Sequence, residues 1–266
     1  LRDGNVEAIG TYSREKRLCE GTTDEMIDAA YLAWRADAQA GLASVLVTDS
    51  SEAVAALNAR ARAERILDGD TDATREAALA DGARASVGDL VITRQNDRRL
   101  RSLRGGWVRN GDRWKVTDVR GDGTLVVRRQ GLRWAATVAL PADYVAEHVD
   151  LGYAITAHRA QGITVDTSHV VVTESTTREN LYVEMTRGRD HNHAYVITGD
   201  ADDNHGTPDD QDVPTAREVL TGVLANVGAE LSATQTIEAE QEAWGGIRQL
   251  AAELETLAAA AQRDRW

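Results

Sequence analysis

The stretch GYAITAHRAQGITVD, Gly152 to Asp166, decides how the rest of the chain is read. GYAIT has the apolar makeup of a short buried strand. It runs into AHRAQG, where Thr156, His158, Arg159 and Gln161 crowd together ahead of Gly162. A second polar stretch follows in LYVEMTRGRDHNHAYVIT, with Arg187 and Arg189 between a helical pattern and another apolar run. In a parallel α/β sheet, ligands gather at the carboxyl ends of the strands. AHRAQG is therefore expected on the loop at the carboxyl end of GYAIT. Hydroxyl, imidazole and amide groups there, with backbone N–H groups freed around Gly162, suit phosphate oxygens. MTRGRD closes a helix and leaves Arg187 and Arg189 near its end. Arginine is the preferred group for countering charge on a transferring phosphoryl.

Outward from these stretches the pattern is α/β. Thr22-Thr23-Asp24-Glu25 fits a capping box ahead of Ile27, Ala30, Tyr31 and Trp34 at helical spacing. ASVLVT (43–48) reads as a buried strand. Asp49-Ser50-Ser51-Glu52 then caps a helix with Val54, Leu57 and Ala61 on one face. Helix, strand and helix in that order predict a parallel layer. SHVVVTE, the segment from Arg178 to about Gly188, and HAYVIT continue it as strand, helix and strand.

Near Ser86 the pattern changes to short β-rich runs: DLVITR, RWKVTDVR, GTLVVRR and WAATVAL. Asn110-Gly111, Asp122-Gly123 and Gln130-Gly131 separate them as hairpin signals. A small antiparallel barrel over 86–143, inserted in an α/β domain made of 22–85 and 144–200, is the expectation. Residues 1–21 form a lead-in, 201–215 an acidic linker, and 216–266 a helical tail whose apolar stripe is read as a packing face.

Composition narrows the function. The chain has 42% hydrophobic and 27% charged residues, ordinary for a globular protein. No apolar run has the length of a membrane span, and the N-terminus has no apolar signal core. With Cys19 as the sole cysteine, no disulfide framework forms and a cytoplasmic, reducing location is expected. Net charge is −13, yet residues 86–135 hold 12 basic and 5 acidic side chains, a local +7 against −20 elsewhere. A basic module in an acidic body is the electrostatic footprint of a polyanion site. Lys16 and Lys115 are the only lysines, and neither follows a glycine, so the chain contains no phosphate-binding P-loop.

Together, and in this order, the two polar stretches resemble motifs V and VI of superfamily 1 helicases. They are most similar to the RecD-like helicase half of TraA/TrwC-type (MobF) conjugative relaxases. LRDGNVEAIGTYSREKRLCEG, VLVTDSSEAVAALNARAR and GDLVITRQNDRRL…VRNGDRWKVTDV extend the resemblance over roughly residues 1–200. It implies a second RecA-like domain lacking the P-loop, with an inserted SH3-like barrel. Thr156 and His158 would contact single-stranded DNA or couple it to nucleotide. Gln161 and Gly162 would face the domain cleft. Arg187, directly after Thr186, would be the arginine finger, with Arg189 a second candidate at the ATP site. Arg94, Arg98, Arg99 and Arg101 of the basic module would bind DNA. Walker A, Walker B and the relaxase tyrosine and histidine motifs are missing. The chain is therefore expected to be a fragment of a longer conjugative helicase or a truncated relative of one. ATP and Mg²⁺ would bind that parent, with no tight binding to this piece. The missing helicase and relaxase domains, and other conjugation proteins, would be its partners.

Competing readings carry less. His191 and His193 lack a third ligand at suitable spacing, so no metal is expected. Of Trp107, Trp114 and Trp134, only one is expected to be exposed for base stacking. A non-catalytic DNA-binding or protein-docking module keeps the fold without the motor. A hydrolase using His158 as base lacks a partnered nucleophile.

Overall fold

The computed structural model describes residues 1–2, 4–102, 106–130, 137–199 and 213–228. In chain order, the first elements are Glu7–Arg14 (α1), Leu18–Thr22 (β1), Thr23–Gln39 (α2), Ser44–Thr48 (β2) and Ser51–Leu67 (α3). The barrel region follows with Asp72–Ala78 (β3), Arg84–Val87 (β4), Leu90–Thr93 (β5), Asp97–Ser102 (β6), Gly106–Val108 (β7), Arg113–Val119 (β8), Leu125–Arg129 (β9) and Thr137–Leu140 (β10). After it come Ala142–His148 (α4), Val149–Leu151 (β11), Ala154–Ile155 (β12) and Ala157–Ala160 (α5). Val165–Val172 (β13), Arg178–Glu184 (α6), Gly188–Gly199 (β14) and Ala216–Ala225 (α7) complete the described elements. The rest of the expected tail, from residue 229 on, and most of the acidic linker lie outside the described residues.

The frame is a five-stranded sheet in the order β1-β14-β13-β2-β12, with every pairing parallel. Alternation along the strands sends side chains to two cores. Leu46, Val171 and Tyr195 join Tyr31 and Trp34 of α2 and Leu57 of α3 on one face. Val45, Val47, Val170, Val172 and Val196 join Leu181 of α6, Leu220 of α7 and Ile9 of α1 on the other. Covering both faces is what a parallel sheet requires. The predicted capping box is present: Glu25 N donates to Thr22 Oγ1 at 3.5 Å and Thr22 N donates to Glu25 Oε2 at 3.0 Å. Ser50 caps α3 by accepting from Ala53 N at 3.2 Å.

The lead-in is more structured than its sequence indicates. β1 lies parallel to β14, Cys19 opposite Tyr195, as an edge strand of the main sheet. LCEGT has no alternation to announce it, because an edge strand at a sheet border needs few apolar residues.

The inserted β region is an antiparallel sheet in the order β10-β9-β8-β5-β11, with two-stranded ribbons β3-β4 and β6-β7. β11 closes that sheet against β5 and then leads through Gly152 directly into β12 of the parallel sheet. At Gly152 an added Cβ would lie 3.1 Å from the Val91 carbonyl carbon and 3.2 Å from Ile92 N, so the two sheets meet there backbone to backbone. Arg113 of β8 seals the junction. Its guanidinium donates to the carbonyls of Ser44 (3.0 Å) and Gly152 (2.9 Å), and burial pulls its pKa down to about 10. One member of the basic count is thus interior, and the surface footprint of the barrel is smaller than its sequence implies.

Candidate nucleic-acid and nucleotide interface

Register places the first polar stretch. β12 ends at Ile155, opposite Val47, so Thr156 stands at the carboxyl end of the strand as expected. The stretch does not stay there. α5 carries the chain back, and Val165 begins β13 at the opposite, amino-terminal edge, where its N–H donates to the Arg187 carbonyl at 3.1 Å. Arg187 stands at that edge too, immediately before β14. The expectation that all of AHRAQG lies at the carboxyl end is therefore corrected: it begins there, just after Thr156, while Gln161 and Gly162 approach the edge that holds Arg187. The nine-residue connection from β12 to β13, which passes β2 in the sheet order, is too short for a long helix and holds only the four-residue α5.

The side chains of Thr156, His158 and Gln161 make no hydrogen bond among the described residues, and Thr156, though the N-cap of α5, caps nothing. His158 and Gln161 are exposed and Gly162 takes a left-handed φ of 81°. Three polar groups are thereby left for a ligand. Arg159 is not: its Nη1 lies 2.9 Å from Asp150 Oδ2.

Arg187 and Arg189 differ sharply. Arg187 Nε donates to the Val183 carbonyl (2.5 Å), Nη1 to the Ile163 carbonyl (3.3 Å) and Nη2 to Thr186 Oγ1 (2.7 Å). All are neutral acceptors, and the guanidinium has no ion pair among the described residues. Half-burial lowers its pKa. Arg189 reaches Asp166 Oδ1 at 2.5 Å and is 63% exposed. Asp166, held below the usual carboxylate range first by the Ala43 N–H and then by Arg189, is a committed counter-ion. Between the two arginines, Gly188 is obligatory, since a Cβ there would fall 2.1 Å from the His191 carbonyl oxygen.

Behind this edge, α6 buries Glu184 completely; among the described residues no donor reaches its carboxyl oxygens, and its polar neighbour is the Asp49 carboxylate, to which a protonated Glu184 can donate. Burial, and then the charge of Asp49, push its carboxyl well above the ordinary range. Asp49 itself, just past β2, accepts from Thr176 Oγ1 (2.6 Å) and Asn180 Nδ2 (3.0 Å).

On the barrel the four predicted arginines separate. Arg99 forks onto Asp97 at 3.1 and 2.8 Å, holding that carboxyl down to about 2. Arg94 Nε is 3.6 Å from Asp150 Oδ2. Arg98 and Arg101 are exposed without a carboxylate partner among the described residues, Arg101 Nε donating to the Arg98 carbonyl at 2.8 Å. Half-buried Trp107 has the Arg98 guanidinium 5.5 Å and the Arg109 guanidinium 5.1 Å from its ring centroid. Trp114 is core, its Nε1 donating to Thr93 Oγ1 at 3.3 Å. Trp134 lies outside the described residues.

His191 and His193 stand 6.2 Å apart by ring centroid, and among the described residues no group of three His, Cys, Asp or Glu side chains fits a metal ion. No helix among the described residues is long and apolar enough to cross a membrane. Asp150, Arg113 and Glu184 escaped the sequence reading. The one visible signal was a charge set inside an apolar run, as in VDLGY and YVEM.

Known proteins match both parts. The family described as the Rv2311 SH3-like barrel domain matches residues 76–150. The uncharacterized protein Rv2311 of Mycobacterium tuberculosis is 43% identical over 89 residues, 34% of this chain and 51% of that protein. A probable conjugal transfer protein TraA of Sinorhizobium fredii is 28% identical over 193 residues, 71% of this chain and 17% of that one. The chain thus spans about half of one relative and a sixth of the other. A Bacteroides Pif1 helicase solved with ADP-AlF3 and single-stranded DNA aligns with TM-score 0.41 at 16% identity, over 75% of this chain and 45% of that chain. The chain is a relative of the TraA conjugal transfer proteins, with a parallel α/β frame and an SH3-like barrel.

Proposed function

We propose that this chain is the C-terminal part of an ATP-dependent DNA helicase within a conjugal transfer protein. In this reading it binds single-stranded DNA and offers Arg187 to an ATP site that a separate P-loop domain completes. One observation carries the reading. Two polar stretches far apart in sequence meet where Arg187 Nη1 donates to the Ile163 carbonyl, beside Gln161 and Gly162. The guanidinium there has fixed geometry and no counter-ion, which is what stabilising charge on a transferring phosphoryl demands. Neutral acceptors orient the fork without consuming its charge.

Thr156 and His158, toward the carboxyl end of β12, would meet the DNA backbone. The crossover would link them to the nucleotide edge. Arg98, Arg101 and Trp107 would extend the DNA path onto the barrel by phosphate contact and base stacking. Arg94, Arg99 and Arg189 are already engaged with carboxylates and rank below them.

ATP and Mg²⁺ belong to the parent protein, because the two lysines here include no Gly-Lys-Ser/Thr loop. The test is DNA-stimulated ATP turnover by the full-length gene product beside this chain alone. Turnover is expected only from the former. Hydrolysis by this chain, or none by the full-length protein with DNA, contradicts the proposal. The second reading is a non-catalytic DNA-binding or docking module, in which the barrel, matched at 43% over 89 residues, stands without the motor. The inactive full-length outcome would support it.

A further inference from the structure

Asp150 lies where the barrel, the parallel sheet and the α5 crossover meet. It sits on β11, which pairs with β5 of the barrel, Asp150 opposite Ile92. Its side chain is 4% exposed. Oδ2 faces two guanidiniums: Arg159 Nη1 of α5 at 2.9 Å and Arg94 Nε, just past barrel strand β5, at 3.6 Å. Oδ1 is buried with no hydrogen-bond partner. Asp81 is the other charge that acts on this carboxyl, opposing the arginines.

The arrangement is unsaturated. Two cations share one oxygen of one carboxylate, and the longer Arg94 contact is an ion pair without a hydrogen bond. Both arginines stay about a third exposed, 31% and 30%, so either can turn to an outside anion. When Arg94 leaves, the competing positive charge goes with it and Asp150 serves Arg159 alone. The crossover that Arg159 belongs to is pinned by few bonds: Ala160 N to Thr156 O (3.0 Å), Gln161 N to His158 O (3.3 Å) and Ile163 N to Ala160 O (3.1 Å). A stronger Asp150–Arg159 pair therefore steadies the whole turn.

We propose that Asp150 is a positioning residue that couples the barrel to the crossover: a polyanion that draws Arg94 away commits Asp150 to Arg159 and tightens the turn carrying Thr156, His158 and Gln161. The inference rests on the functional reading above for its purpose, though not for its geometry.

Amide hydrogen exchange of this chain tests it at Ala160, Gln161 and Ile163. Arg94→Gln imitates the departure of Arg94 and is expected to slow exchange there by about two- to fivefold, the modest scale of a partly exposed pair. Arg94→Lys, which keeps the charge, should restore the wild-type rate. Loss of an ordinary surface contact would leave these amides unchanged or speed them up, so the sign separates coupling from mere support. Asp150→Asn should speed exchange and abolish the effect of Arg94→Gln. Should Asp150→Asn not fold, Arg94→Gln at its partly exposed site still decides. Unchanged or faster exchange in Arg94→Gln overturns the proposal. Adding a short oligothymidine should slow the same amides more in wild type than in Arg94→Gln, where only direct contact of the DNA with the turn remains. Slowing by Arg94→Gln with no response to the oligonucleotide would uphold the coupling and refute the barrel as the DNA path.

Discussion

Arginines on the barrel and the arginine at the amino-terminal edge of the parallel sheet are held in opposite ways. Arg99 is locked onto Asp97, Arg129 onto Asp112 at 2.6 Å, and Arg94 leans on Asp150. Arg187 is fixed just as firmly, by three hydrogen bonds, yet every acceptor is neutral. The first arrangement spends its charge within the fold, while the second orients a guanidinium and leaves its charge for something else. Counting basic residues cannot see this difference. The sequence has a +7 segment in the barrel, but its arginines are partly neutralised, one is buried, and Arg187, whose acceptors are all neutral, lies outside it.

The largest expected effect breaks or keeps this contrast directly. In the full-length protein, Arg187→Ala should lower ATP turnover by about 10³–10⁵, the range for arginine fingers, with DNA affinity nearly unchanged. Arg187→Lys should not rescue it, because a point charge lacks the planar fork. Arg189→Ala, already compensated by Asp166, should cost less than about tenfold. Steady-state ATPase and DNA-binding titrations read both. If the two substitutions weaken DNA binding and spare turnover, Arg187 is a DNA contact.

Glu184 sharpens the contrast from the acidic side, since α6 buries a carboxyl whose charged form is disfavoured beneath the turn that holds Arg187. Its folded pKa is raised above the ordinary 4.5, so its contribution to stability is full below that pH and is lost as pH rises. Glu184→Gln, which cannot ionise, should be more stable than wild type at alkaline pH, and the gain should fade as pH falls to the ordinary carboxylate range. Thermal unfolding across that range checks it. A pH-independent difference would mean the carboxyl is not held neutral.

The smallest effect lies on the barrel. If single-stranded DNA follows it, replacing Arg98 and Arg101 together should flatten the dependence of log K on log[salt] by about 1.4, or about 0.7 per phosphate contact. Arg99→Ala should hardly move it. Equal effects from all three would erase the distinction between paired and free barrel arginines.

Much of the fold was legible because its signals are local. Val45 to Val47 form an unbroken apolar strand, Thr22 and Glu25 a capping box, and Asn110-Gly111 a turn, and each is where the pattern puts it. β1, β6, β7 and β11 were not legible, being short, charged or at edges, where tertiary pairing overrides composition. At the site, the reading of Thr156, His158, Gln161 and Arg187 as phosphate-facing groups rests on residue type alone. Which edge of the sheet each one occupies depends on the register of β12 and β13, which no local pattern encodes. Asp150 was invisible for a related reason: its two partners lie far away in sequence, and only the fold brings Arg94 and Arg159 to one carboxylate oxygen.

The central claim is that Arg187 acts on the charge of a phosphoryl in transit and contributes little to binding nucleotide at rest. Equilibrium binding of ADP and of ADP with aluminium fluoride to the full-length protein, with DNA present, tests it without turnover. Arg187→Ala should leave the ADP affinity within about twofold and weaken the transition-state analogue by about 10² or more. An equal loss for both ligands, or no loss for either, would contradict the assignment.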